Sequence, residues 1–476
     1  MNEVELRIPW GIGQTLKNAI VVPGRYEPIV FGLVSHTRIP DKHLLLLRKL
    51  IIPPPDAYLP STGHGAKWKG SFTIEVLNVA LRERLGVLLF HAHDHRGKVS
   101  LSPDDEQSAR ALLPRFQVVM PGRPHASVVI GRDHAACLLA LPEEEPLMHA
   151  LRVRWLGPHT IDWVGDYRSS SKPTTSRIHD RQILAIRGPG QVLLQRTKVA
   201  VVGLGGGGSL VVKLLARMGV GEIIGIDPDV ADQTNRGRMA GLWWIDVFLK
   251  RKKTKVMARL AWLINRSVRF TEVPYAIPEQ NALDAAKRAD IIVGCVDSLH
   301  ARSDLQAISW RYLIPYIDIG ARIQLEPVPE DKQEPRVRAI GGNVQTLIPG
   351  GFCMWCADFL SQEKLDAETG RRSRSYFDKG AAQAQVVSFN ALLAGQAASE
   401  VLQLVTGFSL NDDRPLFKKY NGFDGTLEGW KVLKNPLCTF CQNELSAGDA
   451  LWLSETSQLN EGGTDGKERS HHASQG

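Results

Sequence analysis

Residues 198–229 read KVAVVGLGGGGSLVVKLLARMGVGEIIGIDPD, and this stretch decides the fold of the larger part of the chain. An apolar, β-branched run reaches Val202, a glycine-rich turn follows, SLVVKLLARMGV has helical spacing, and EIIGID is a second buried strand. Gly203, Gly205 and Gly208 fit G-x-G-x-x-G, and Asp227 ends the second strand 24 residues after the first glycine. Glycines let backbone approach phosphate, a helix N-terminus favours anions, and an acid at that distance can accept ribose hydroxyls. Taken alone, the fingerprint fits any nucleotide.

The same alternation continues through KVMARLAWLIN, ADIIVGCVD and YIDIGA, which predicts a doubly wound, mainly parallel α/β sheet. The flanking residues narrow the reading. DRQILAIRGPGQ precedes the first strand; DPDVADQTNRGRM, ADIIVGCVDSLHAR and IPYIDIGA follow in order. Asn235 and Arg238 stand eight and eleven residues after Asp227. Over about 250 residues this resembles the ThiF/MoeB-like adenylyltransferases, the superfamily that includes ubiquitin-activating enzymes. Their glycine loop reads G-x-G-G-x-G-S, matched here from Gly203 through Gly206 and Gly208 to Ser209.

The resemblance implies ATP and magnesium as cofactors. It also implies that Asp227, in the D-x-D pair with Asp229, binds ribose, and that Asn235 and Arg238 contact phosphates. Asp297 would hold magnesium, and Arg181 would act as an arginine finger, often across a homodimer. A helix lysine should join them; one alignment selects Lys255 and another Lys253. The chemistry requires such cations, because a carboxylate attacking an α-phosphate brings two anions together.

Two C-x-x-C pairs, Cys353/Cys356 and Cys438/Cys441, offer four thiolates, a closed and therefore structural zinc site of a kind frequent in this family. Relatives that transfer the activated protein to their own thiol carry a further cysteine after the first pair, and here ADFLSQEKLDAETGRRSRSYFDKG has none. Cys295 reads as core, and Cys137 lies far upstream. Either catalysis stops at the acyl-adenylate, or Ser373 or Ser375 forms an ester, for which no activating base is identifiable.

Upstream, Gly86–Glu106 reads GVLLFHAHDHRGKVSLSPDDE. His91 and His93 leave one strand face, and Ser102 and Asp105 sit at the start of the next helix. Two imidazoles and a carboxylate form a hydrolytic zinc set, although S-x-x-D is also a helix cap. H-x-H, eight residues, then S-x-x-D resembles the JAMM (MPN-plus) metalloproteases, which cut after the C-terminal glycine of ubiquitin-like proteins. That resemblance implies zinc on His91, His93 and Asp105, with Glu27 as base and Ser102 stabilising the oxyanion. Ala92 and Asp94 depart from the family pattern, and His95 has no assigned role.

The expected organisation is a mixed α/β JAMM-like domain over 1–160, a linker over 161–176, an adenylation domain over 177–453 and a disordered tail over 454–476. The N-terminus lacks a signal-peptide core and no apolar run spans a membrane, so a cytoplasmic location is expected. A net charge of +8 over 476 residues does not by itself indicate nucleic acid. The combined resemblance implies adenylation of the C-terminal glycine of a small ubiquitin-like protein. A fused peptidase would mature or remove that modifier, as in bacterial defence-linked conjugation with a conjugating-enzyme-like partner. Two alternatives are activation of a sulfur carrier and a catalytically dead scaffold that binds such a partner.

Overall fold

A computed structural model describes residues 3–20, 28–40, 42–60, 67–93, 97–132, 134–142, 145–163, 177–326, 336–375, 384–409, 411 and 413–451. The first unit contains strands β1 (Glu3–Ile8), β2 (Val30–Ile39), β3 (Lys42–Ile51), a small hairpin of β4 (Tyr58–Leu59) and β5 (Lys67–Trp68), then β6 (Gly86–Ala92), β7 (His125–Ile130), β8 (Ala135–Ala140), β9 (Leu147–Trp155) and β10 (Ile161–Trp163). Helices α1 (Ile12–Ile20), α2 (Gly70–Glu83) and α3 (Pro103–Val119) accompany them. The main sheet runs β1-β3-β2-β6-β7-β8-β9-β10, and β1 also pairs with β9, so the strand order returns on itself. One core lies between the sheet and α1, with Leu6, Leu16, Leu45, Phe90 and Val153; another lies under α2 and α3, with Phe31, Val76, Leu89 and Leu113. Ile161–Trp163, within the expected linker span of 161–176, extends the sheet by pairing with Val153–Trp155.

In the second unit the strands are β11 (Lys198–Val202), β12 (Glu222–Ile226), β13 (Arg269–Val273), β14 (Ile291–Gly294), β15 (Tyr316–Leu325), β16 (Val337–Leu347), β17 (Phe417–Asn421) and β18 (Thr426–Trp430). Its helices are α4 (Asp180–Arg196), α5 (Gly206–Met218), α6 (Trp244–Phe248), α7 (Lys253–Ile264), α8 (Gln280–Lys287), α9 (Leu299–Tyr312), α10 (Gln362–Ser375), α11 (Val387–Thr406) and α12 (Thr439–Glu444). The order β13-β12-β11-β14-β15-β16-β17-β18 is parallel as far as β15 and antiparallel beyond it. The apolar runs VAVV, EIIGI and IIVG are buried along their length, as a parallel sheet covered on both faces requires.

The two units share a buried face rather than hanging from a tether. Ile39, Leu44, Leu46 and Leu156 belong to the core of the second unit. Arg7 Nη1 donates to the Tyr312 carbonyl at 2.8 Å, and Arg154 Nη2 lies 2.7 Å from Asp290 Oδ1. Glu5, fully buried between Arg7, Lys42, Arg152 and Arg154, would have its carboxyl raised by burial, yet these cations hold it well below the usual range. Asp290, Lys198 and Glu222 stand at the N-terminal ends of the parallel strands. The contact with Asp290 therefore lies at the end of the sheet opposite the glycine loop. Among the described residues no helix is long and apolar enough to cross a membrane.

Candidate active site and metal centres

The glycine loop leaves β11 at the carboxyl edge of the sheet. Gly203 has φ +83°, and a Cβ there would stand 2.7 Å from the Cys295 carbonyl oxygen, so only glycine fits without displacement. A Cβ on Gly208 would lie 1.8 Å from the Gly203 carbonyl, which seals helix to strand. Gly206 begins α5, whose amide ends face the loop.

Asp227 sits at the neighbouring strand end, buried. Its Oδ2 accepts from the Leu204 amide at 2.7 Å and its Oδ1 from the Asp229 amide at 2.9 Å. Burial raises its pKa, against the opposing pull of Lys253 and these two amides. Lys253 Nζ lies 2.6 Å from Asp229 Oδ2 and 3.7 Å from Asp227 Oδ2. Lys255, two positions along α7, is exposed on another face of the helix. Asn235 is buried, with its Oδ1 accepting from the Asp232 amide in a reciprocal cap, and Arg238 packs over Gly206. Asp297 is exposed just beyond β14, immediately before Ser298, the N-cap of α9.

Arg181 stands apart from this cluster. Its neighbour Gln182 donates to the Met218 carbonyl at the far end of α5, about 18 Å along that helix from Gly206. Ser373 and Ser375 occupy the last turn of α10, where the structure describes backbone only. Cys295 falls just past β14, and burial pushes its thiol well up, as burial pushes Cys137 up to about 12. Neither is a ready thiolate.

Two residues that sequence reasoning missed complete the loop's surroundings. Gln385 Oε1 accepts from Arg238 Nη1 at 2.6 Å, and Asn390 Nδ2 stands 2.6 Å from where a Gly206 Cβ would be. Asn390 lies in the first turn of α11 and Gln385 two residues before that helix, both more than a hundred residues away in sequence, and neither carries a motif signal.

The four cysteines converge. Sγ separations are 3.5 Å for Cys353 to Cys356, 3.7 Å for Cys353 to Cys438 and 3.8 Å for Cys356 to Cys441. A tetrahedral zinc with bonds near 2.3 Å demands sulfur separations of about 3.8 Å, so the donor set fits. Hydrogen bonding from Cys353, with contributions from the other two thiols and Lys434, draws the Cys441 thiol down to about 6.

In the first unit, His91 at the end of β6 and His93 just after it meet Asp105 from the first turn of α3. Their Nε2 atoms lie 3.4 and 3.6 Å from Asp105 Oδ2. Zinc bonds of 2.0–2.1 Å would space such ligands about 3.3 Å apart, and the buried His91 Nε2 has no hydrogen-bond partner among the described residues, so this set also fits a metal. The cap reading of Ser102 is realised as well: it is the N-cap of α3, and its Oγ donates to Asp105 Oδ2 at 2.6 Å. Glu27 and His95 lie outside the described residues.

A glycine loop, a strand-end acid, a lysine–aspartate pair and a four-cysteine cluster thus sit on one half-parallel α/β sheet. The chain belongs to the ThiF family, whose model matches residues 179–440. It is 25% identical over 260 residues to ubiquitin-like modifier-activating enzyme 5 of Drosophila persimilis, covering 50% of this chain and 59% of that one. The namesake from Dictyostelium discoideum is 25% identical over 233 residues, covering 45% and 54%. The chain thus spans little more than half the length of these relatives. Among solved structures, E. coli MccB with ATP aligns at 22% identity and a TM-score of 0.44, covering 56% of this chain and 75% of that one.

Proposed function

We propose that the chain is a ubiquitin-activating-type adenylyltransferase fused to a JAMM-type zinc peptidase. The observation that carries the first half is the grouping of the glycine loop, Asp227, Lys253 and Arg238 at one edge of the sheet. In this reading the loop amides and the α5 N-terminus bind the triphosphate of ATP, and Asp227 accepts from ribose hydroxyls. Asn235, Arg238 and Lys253 neutralise phosphate charge. The terminal carboxylate of a small ubiquitin-like protein attacks the α-phosphorus, the bond to the β-phosphate bridging oxygen breaks, and pyrophosphate leaves with that electron pair. Magnesium, held by Asp297, would screen the phosphates. The distance of Arg181 from its own loop supports a homodimer in which it serves the second copy.

In the peptidase half, His91, His93 and Asp105 would hold zinc, which when bound supplies a Lewis acid for peptide hydrolysis. Glu27 would take the proton of the attacking water, and Ser102 would donate to the oxyanion. The four-cysteine cluster would hold a second, structural zinc. The two centres make and break bonds at the same C-terminal glycine, which fits a conjugation pathway in the cytoplasm, and the bacterial defence setting is part of this proposal.

Isotope exchange between pyrophosphate and ATP, run with a panel of small β-grasp proteins ending in glycine, tests the reading. The wild-type chain should exchange only with a cognate partner, and Asp297→Ala should slow exchange at least 100-fold. Equal exchange by the two proteins would remove the assignment.

A further inference from the structure

Beside the glycine loop stands a buried donor to which adenylation as drawn above gives no role. Asn390, in the first turn of α11, is 7% exposed, and its Nδ2 has no hydrogen-bond partner among the described residues. Leaving such a group unpaired in the interior is costly, and native structures seldom tolerate it without a ligand or water. Its position is specific: it stands 2.6 Å from the point where Gly206, the first residue of α5, would carry a Cβ. Arg238 reaches the same point, its Cβ and Cδ at 3.5 Å, and its buried Nε is also without a partner among the described residues. The far side of that guanidinium is held by Gln385, 2.6 Å from Nη1.

The unpaired Asn390 Nδ2 and a helix N-terminus thus meet at Gly206, with the Arg238 side chain packed beside them. No carboxylate is hydrogen-bonded to either side chain among the described residues. An unpaired buried amide N–H beside a helix N-terminus suits an oxyanion, and the absence of a side chain on Gly206 lets Asn390 approach that terminus. We propose that Asn390 is a nucleotide-contacting residue that donates its side-chain N–H to a phosphate oxygen of ATP above Gly206. Gln385 is a positioning residue that aims Arg238 at the same phosphate. The proposal rests on the adenylation reading and extends the phosphate site to α11.

The test is calorimetric titration of the full chain with MgATP and, separately, with adenosine, in wild type, Asn390→Ala, Asn390→Asp and Gln385→Ala. Losing one charge-assisted hydrogen bond should weaken MgATP about 10-fold in Asn390→Ala, and an added carboxylate about 100-fold in Asn390→Asp. Gln385→Ala, at an exposed position, should cost about 3-fold. Adenosine, which has no phosphate, should bind all four proteins within about 2-fold of one another. Unchanged MgATP affinity in the Asn390 variants overturns the proposal. So does an equal loss for adenosine and ATP, which would mark a packing role. If circular dichroism shows the Asn390 variants unfolded, Gln385→Ala decides: wild-type MgATP affinity there sinks the idea. A wild-type chain that binds no MgATP overturns the adenylation reading itself, a result distinct from any variant effect.

Discussion

Lys253 Nζ lies 2.6 Å from Asp229 Oδ2, joining the first turn of α7 to the acid-rich turn that follows β12. Lys253 is 8% exposed, whereas Lys255 faces solvent. The helix turns about 200° between these positions, so only one lysine can face the nucleotide edge. Lys253→Ala is expected to reduce pyrophosphate exchange by two or more orders of magnitude, and Lys255→Ala to stay within about 2-fold of wild type. Measuring both variants under one set of conditions decides the assignment, and the reverse pattern would refute it.

Gly208→Ala places a methyl group 1.8 Å from the Gly203 carbonyl oxygen, which is backbone and cannot swing aside. The loop or the start of α5 must shift, so MgATP binding should be lost and stability should fall by about 1–3 kcal/mol. Gly205→Ala is the control, since nothing lies within 4 Å of its added Cβ. Calorimetric ATP titration and thermal denaturation of the pair check this; equal ATP affinity in both would contradict the loop assignment.

Metal analysis of the protein should return two zinc ions per chain, one for each donor cluster. Cys356→Ser should remove one and lower the melting temperature on the order of 10 °C, because a closed thiolate site stabilises the fold directly. His93→Ala should remove the other and leave the melting temperature nearly unchanged, while abolishing cleavage of a modifier fusion. A single zinc in wild type would show that only one cluster binds metal.

The buried Arg154–Asp290 pair joins the two units, and its loss should cost about 3–5 kcal/mol, since Arg154→Ala leaves Asp290 and Glu5 buried with less compensation. The pH dependence follows from Asp290. Burial raises its pKa, but Arg154, Arg152 and Lys42 more than offset this and hold it at about 2, below the ordinary 3.8. A carboxyl depressed in the folded state contributes stability that is full above about 3.8 and is lost as pH falls through about 2. Denaturant melts of wild type and Asp290→Asn between pH 5 and pH 2 should therefore converge toward the acid end. Parallel curves would mean that Asp290 does not carry the dependence.

Much of the second unit is legible in sequence because its signals are local. The strand–glycine–helix–strand unit, the aspartate at its end and the fixed intervals to Asn235 and Arg238 lie within about forty residues. The H-x-H and S-x-x-D spacing is local too, and the cap and metal readings of Ser102 and Asp105 turn out to be compatible. Ile161–Trp163, drawn into the linker span, pair with Val153–Trp155, because a three-residue strand takes its stability from its partner strand rather than from its own residues.

By itself, then, the sequence determined the order of elements, the glycine geometry and the identity of both donor clusters. Each of these depends on backbone conformation or on residue chemistry at short range. Tertiary structure decided the rest. It buried Lys253 against Asp229 and left Lys255 exposed, and it brought Gln385 to Arg238 and Asn390 to Gly206 from 147 and 184 residues away. It placed Arg181 a helix length from the loop and buried Glu5, Arg7, Arg154 and Asp290 between the two units. The reason is physical: a side chain's partners across such separations are set by how sheets and helices pack, and no short-range pattern records that choice.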